Sequence, residues 1–139
     1  MHLYSHLFLV GAFTLFSLAS AGSEITATFS LHCPDEWLKD PKAIVQLWEY
    51  NYITKHHNVT QLPDDEVLVD GKTTYTIIGN AHNWFFQWDD YYLKIVHHCS
   101  LECPKDKRMT SYVPLSQNMG VLPIDLSSSH SYRALKSSC

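Results

Sequence analysis

The chain has 139 residues and a formal net charge of −4. Its basic residues are scattered apart from Lys105, Lys107 and Arg108. That distribution excludes the concentrated positive surface on which nucleic-acid binding rests. Leu7 to Leu18 is an apolar run broken only by Gly11, Thr14 and Ser17, and Ala19-Ser20-Ala21 supplies the small residues of a cleavage site. Residues 1–21 therefore read as a secretory signal peptide, too short to span a bilayer comfortably. Residues 22–139 remain as one domain's length of chain, with no further apolar run of spanning length. The expected product is a protein secreted to the extracellular region, with no transmembrane segment after cleavage.

Ile25 to Cys33 alternates cleanly: Ile25, Ala27, Phe29, Leu31 and Cys33 point one way, and Thr, Ser and His point to solvent. This predicts a half-buried strand. Pro34 to Pro41 is a turn-rich connection, with Trp37 and Leu38 expected to fold back on the core. Ala43 to Tyr50 predicts a second strand, with Val45, Leu47 and Glu49 on one face. Asn51 to Glu66 reads as a long polar loop. Val67 to Val69 begins a third extended segment, Asp70-Gly71 is a turn signal, and Thr73 to Ile78 is a β-rich run stopped by Gly79-Asn80.

Asn83 to Asp90 crowds Trp84, Phe85, Phe86 and Trp88 together without a clear period, so a loop or single helical turn is expected. Tyr91 to Cys99 is then a strand carrying Leu93, Ile95, His97 and Cys99 on one face and Tyr92, Lys94, Val96 and His98 on the other. Short strands are predicted at Tyr112 to Leu115, Val121 to Leu126 and, last, Tyr132 to Leu135. About seven short strands without a long amphipathic helix point to an all-β antiparallel sandwich.

The four cysteines, Cys33, Cys99, Cys103 and Cys139, imply two disulfides in a secreted chain. Cys99-x3-Cys103 beside His97 and His98 resembles a zinc site, but an oxidising compartment favours pairing, so no metal and no cofactor are expected. Asn58-Val59-Thr60 is a glycosylation sequon in a polar stretch, which makes Asn58 a candidate carrier of glycan.

Four blocks resemble the nematode transthyretin-like family of secreted proteins. Leu31-His32-Cys33 is similar to the Leu-x-Cys end of that family's first strand, and Val45-Gln46-Leu47-Trp48-Glu49 to its Val-x-Leu-x-Asp/Glu strand. Tyr75-Thr76-Ile77-Ile78-Gly79 is similar to its aromatic-x-aliphatic-x-Gly strand. Asp90 to Cys99 resembles its Pro-Tyr-Leu-x-Ile-x-His-x-Cys segment, the most specific block. Cys103, Tyr112-Val113-Pro114, Ile124-Asp125-Leu126 and Cys139 follow in the family's order. Tyr91 replaces the usual proline, the Cys99–Cys103 gap is shorter than usual, and the Asn83 to Trp88 aromatic cluster is peculiar to this chain. The resemblance implies a transthyretin-like (prealbumin-like, immunoglobulin-like) sandwich.

Cys33 and Cys99 both lie on the apolar phase of their strands, which favours Cys33–Cys99 with Cys103–Cys139. Cys33–Cys103 with Cys99–Cys139 stays open, because a four-residue shift is small at a strand end. His97 reads as a buried residue bonded to a backbone carbonyl rather than a base, since no acid is fixed near it by spacing. The His56-His57 pair is expected in solvent. Asp64-Asp65-Glu66 lacks the ligand pattern of a calcium loop.

Trp84, Phe85, Phe86 and Trp88, with Tyr91 and Tyr92, either cap an open end of the core or form a partner-binding patch. The expected function is that of a non-enzymatic extracellular binding protein, its partner a cell-surface molecule, a lipid or a host protein. A carrier of small apolar ligands is the alternative. A hydroxyisourate-hydrolase-like enzyme fits less well: that class ends in Tyr-Arg-Gly-Ser, and here Tyr132-Arg133 is followed by Ala134-Leu135.

Overall fold

Alternating sequence becomes alternating burial. In the computed structural model, which describes residues 23–33, 41–51, 55–61, 66–81, 90–104, 106–116 and 120–139, the chain forms eight strands. They are β1 (Ser23–His32), β2 (Lys42–Asn51), β3 (Lys55–Asn58), β4 (Glu66–Leu68), β5 (Tyr75–Ala81), β6 (Asp90–His97), β7 (Met109–Leu115) and β8 (Leu122–Asp125). There is no helix among the described residues. β2 buries every second residue, Ala43, Val45, Leu47, Glu49 and Asn51. β6 does the same with Leu93, Ile95 and His97.

Two sheets result. One has the order β5-β1-β8, and the other β3-β2-β6-β7 with β4 also paired to β2. The eight-residue register of β2 against β6, from Ala43↔His97 to Tyr50↔Asp90, is the longest ladder. Phe29 and Leu31 from the first sheet and Leu47, Leu93 and Ile95 from the second are almost fully buried in a common core, joined by Leu126. Each such side chain contributes roughly 1.5–3 kcal/mol of transfer free energy.

Several expectations need correction. β1 and β8 run parallel, Phe29↔Leu122 to His32↔Asp125, so the arrangement is not wholly antiparallel. The stretch from Asn51 to Glu66 is not all loop, because Lys55–Asn58 is a strand paired with Trp48 to Asn51. Neither of its faces is apolar, which removed the periodic signal. Gly79 does not stop β5, which continues to Ala81. A Cβ there would sit 2.7 Å from Leu47 Cδ2 and 2.8 Å from the Val59 carbonyl oxygen, so this glycine permits close approach of two backbones.

Tyr132 to Leu135 is a tight turn rather than a strand, closed by reciprocal backbone bonds of 3.0 and 2.9 Å between its ends. The pairing expected near the end of the chain occurs instead at Ser138, which exchanges backbone bonds with Thr110 of β7. β6 ends at His97, two residues short of the expected Cys99.

Cys33 is joined to Cys99 and Cys103 to Cys139, each with a Cα–Cα distance of 5.6 Å. The first links the end of β1 to the end of β6 and so ties one sheet to the other. The second anchors the chain end. Their sequence separations are 66 and 36 residues. Loop-closure entropy assigns roughly 4 kcal/mol to each bridge, with about half a kcal/mol more for the longer loop. Urea unfolding should therefore show Cys33→Ala/Cys99→Ala as the less stable of the two paired variants. A larger loss from Cys103→Ala/Cys139→Ala would contradict the chain-entropy account.

Candidate functional site

His97 occupies the inward face of β6 with no exposed surface. The Cys99 backbone N–H donates to its Nδ1 at 3.0 Å, which puts the ring proton on Nε2 and makes Nε2–H the donor to Ser111 Oγ at 2.9 Å. The sequence reading of a structural histidine stands, but its partners are an amide N–H and a hydroxyl, not a backbone carbonyl. Burial, with smaller contributions from His130 and His98, lowers its pKa to about 4. At neutral pH the ring is uncharged and closed to solvent.

The outward face of the larger sheet carries a second group. Gln46, Trp48 and Tyr50 come from β2, His56 from β3, Asp90, Tyr92 and Lys94 from β6, and Tyr112 from β7. These positions share one face because paired residues across a sheet point the same way, as in Trp48↔Tyr92, Tyr50↔His56 and Lys94↔Tyr112. Tyr92 lies on this outward face, yet only 1% of its surface is exposed. The chain end explains it: the Tyr132 ring stacks on Tyr92 with centroids 4.8 Å apart. Trp48, His56 and Tyr112 surround the same ring at 6.3, 5.7 and 6.1 Å.

Polar contacts lock the group. The Tyr92 hydroxyl and His56 Nδ1 share a bond of 3.0 Å. Burial drives the Tyr92 pKa well above the usual tyrosine range. Burial, then the charges of Arg133 and Lys55, lower that of His56. Tyr132 donates its hydroxyl proton to Asp90 at 3.0 Å, and Arg133 pairs with the same carboxylate. The Arg133 guanidinium also lies 4.2 Å over the Tyr50 ring, and Lys94 Nζ lies 4.8 Å over Trp48.

Lys55 and Arg133, the non-glycine residues with positive φ (66° and 51°) among those described, both adjoin this cluster. Left-handed backbone at such residues costs on the order of 1–2 kcal/mol each. Arg133 is held there by its contacts with Asp90, Tyr132 and Tyr50, and Lys55 by its pairing with Asn51 in the ladder of β2 and β3.

Asn58 is exposed at the end of β3. Its Oδ1 accepts from the Thr60 N–H at 3.0 Å and from the Thr60 hydroxyl at 2.6 Å. Thr60 Oγ1 in turn accepts the Leu47 N–H at 2.8 Å, standing in for a ladder partner where β3 ends. His57 is not simply solvated, since its Nε2 meets the fully buried Glu49 carboxylate at 2.8 Å. Glu66 pairs with Arg108 at 3.1 Å. Trp84, Phe85, Phe86 and Trp88, like Asp64 and Asp65, lie outside the described residues. No cluster fit to hold a metal ion occurs among the described residues. No helix long and apolar enough to cross a membrane occurs among the described residues.

Sequence reasoning missed the assembly of Tyr50, His56, Asp90, Tyr132 and Arg133, because no spacing connects segments so far apart. The legible hint was Tyr92, a large ring on a strand's solvent phase. No protein-family profile matches the chain, and neither a curated protein nor a solved structure does so.

The buried His97 has a consequence for acid stability. The unfolded histidine titrates near 6.5 and the folded one near 4. As pH falls through this window the unfolded chain takes up a proton that the folded one refuses. His97 should thus cost about 3 kcal/mol of stability by pH 4 and nothing above pH 7. Urea unfolding at pH 7 and pH 4.5 tests this: the loss should shrink in His97→Gln, and an equal loss in both proteins would sink it.

Proposed function

We propose that this chain is a secreted, non-enzymatic binding protein of the transthyretin-like kind, which meets an extracellular partner through the outward face of its larger sheet. The observation that carries the reading is the composition of that face. Half-buried Trp48, Tyr50 and Tyr112 alternate with the cations Lys94 and Arg133 poised over rings. Trp, Tyr and Arg are the residues that supply most binding energy in protein interfaces. Two disulfides accord with an oxidising extracellular compartment. The blocks that resemble the transthyretin-like family fall on β1, β2, β5 and β6 or their ends, the elements that frame the core.

The non-enzymatic part of the reading is supported by how the reactive groups are spent. His97 and Ser111 are fully buried and bonded to each other. Tyr132 and Arg133, the pair that invites comparison with a hydrolase, hold Asp90 and Tyr50 instead.

Binding of the purified chain to a panel of extracellular proteins and to phosphatidylserine vesicles tests the surface. Lys94→Glu and Trp48→Ala are each expected to weaken the interaction about tenfold or more. Thermal unfolding of Lys94→Glu should match wild type. Undiminished binding by both variants would remove this face from the reading, and clear turnover of hydroxyisourate would overturn its non-enzymatic part.

Asn58 is the proposed glycan site. Expression in a eukaryotic secretory system should give a mass that glycosidase reduces, that Asn58→Gln abolishes and that Thr60→Ser retains. An unmodified wild-type product would refute the assignment.

A further inference from the structure

Residues 127–139 lie against the larger sheet as a strap that contributes no residue to the core, since none of them is buried. Near its start, His130 Nε2 bonds the Asp125 carbonyl at 2.7 Å. Ser138 exchanges backbone bonds of 2.8 and 3.2 Å with Thr110, and the Tyr112 N–H donates to the His130 carbonyl at 3.1 Å. Tyr132 stacks on Tyr92 and, with Arg133, engages Asp90. The Arg133–Asp90 pair is nearly half exposed on both sides, where such pairs add little. Arg133 is also held at a φ of 51°, which is unfavourable for any residue with a Cβ. To these contacts the Cys103–Cys139 bridge adds a covalent one.

The two bridges present themselves differently to an attacking thiolate. Cys99 has no exposed surface and Cys33 is half-buried, whereas Cys139 is exposed. They differ also in what keeps their sulfurs together after reduction. Cys33 and Cys99 follow strands whose side chains share one buried core, so their thiols stay neighbours and the bond re-forms. Cys139 sits on the strap, which has no buried residue to hold it. Once its bridge opens, its concentration beside Cys103 falls and the bridge stays open.

We propose that Cys103–Cys139 is a site of thiol–disulfide exchange, and that its reduction by an extracellular dithiol protein releases residues 127–139 from the sheet. One thiolate of the dithiol attacks Cys139 Sγ. A mixed disulfide forms, and Cys103 leaves as a thiolate that takes a proton from water. The second thiolate then attacks its own partner sulfur in the mixed disulfide, and Cys139 leaves and is protonated in turn. The bridge gains two electrons and two protons, and the dithiol loses as many in becoming a disulfide. Release lifts Tyr132 from the ring of Tyr92 and Arg133 from that of Tyr50. Trp48, Tyr50, Tyr92 and Tyr112 then form a contiguous aromatic band across β2, β6 and β7. The release needs no partner bound to that face; its effect on binding rests on the aromatic face being the binding surface.

Dithiothreitol serves as the dithiol probe. Timed treatment of the purified chain, followed by alkylation and peptide mapping, should label Cys103 and Cys139 about tenfold or more faster than Cys33 and Cys99. Equal rates at the two bridges would overturn the inference. In Cys103→Ala/Cys139→Ala, and in wild type alkylated at that bridge alone, the Thr110 and Tyr112 amides should exchange hydrogen about tenfold or more faster. Tetranitromethane should nitrate Tyr92 in the double variant and spare it in untreated wild type, while the β2–β6 amides keep their protection. Unchanged exchange at Thr110 and Tyr112, or a Tyr92 still unreactive, would show that the strap holds without its bridge and overturn the inference. Loss of β2–β6 protection would overturn it too, by making the bridge a support of the whole fold. No partner is present in these measurements, so their outcome is separate from whether the face binds one.

Discussion

The link from Cys33 to Cys99 is the constraint on which the other contacts depend. It closes the ends of β1 and β6, strands of different sheets, and the Cys99 backbone N–H is simultaneously held by His97. His97 passes the restraint to Ser111 of β7. Three strands are thereby fixed at one end of the core before any side chain in its middle is considered. The covalent bond narrows the unfolded ensemble, and the buried hydrogen bonds select one orientation within what is left. Leu31, Leu93 and Ile95, close to that end, are fully buried.

A second layer is laid over the first. The larger sheet would ordinarily show its outer face to water, but the chain end crosses it and covers Tyr92. The Ser138–Thr110 bridge, the bond from Tyr112 N–H to the His130 carbonyl and the Cys103–Cys139 link hold that end down. The aromatic face is therefore composed by the tail as much as by the sheet, and Arg133 reaches Tyr50 only because the tail turns at Tyr132 to Leu135.

What was legible in the sequence follows from the same division. β1, β2 and β6 could be read because one face of each is apolar at every second residue, and strand phase sufficed to favour the observed cysteine pairing. β3 could not, because His56 and His57 serve different surroundings, one the aromatic face and the other the Glu49 carboxylate. The parallel approach of β8 to β1 unites segments far apart in the chain, where no local pattern applies. Gly79 illustrates a residue whose usual meaning misleads: it marks close packing, not an end. For the outer face, Tyr92 was visible, but two of the rings that bury it, His56 and Tyr132, lie on β3 and in the tail, beyond the reach of periodicity.

Thr60 gives a different lesson. One hydroxyl both completes the sequon at Asn58 and satisfies the Leu47 amide where β3 ends. A mutation that removed it would leave a polar group of the central strand unpaired, so the fold alone selects for Thr or Ser at this position. The two requirements cannot drift apart. Across relatives of this chain, persistence of the hydroxyl residue would be produced by folding even where no sugar is attached. The informative position would then be Asn58 itself: its loss in a lineage that retains Thr60 would remove the sequon while leaving the hydroxyl that serves the Leu47 amide.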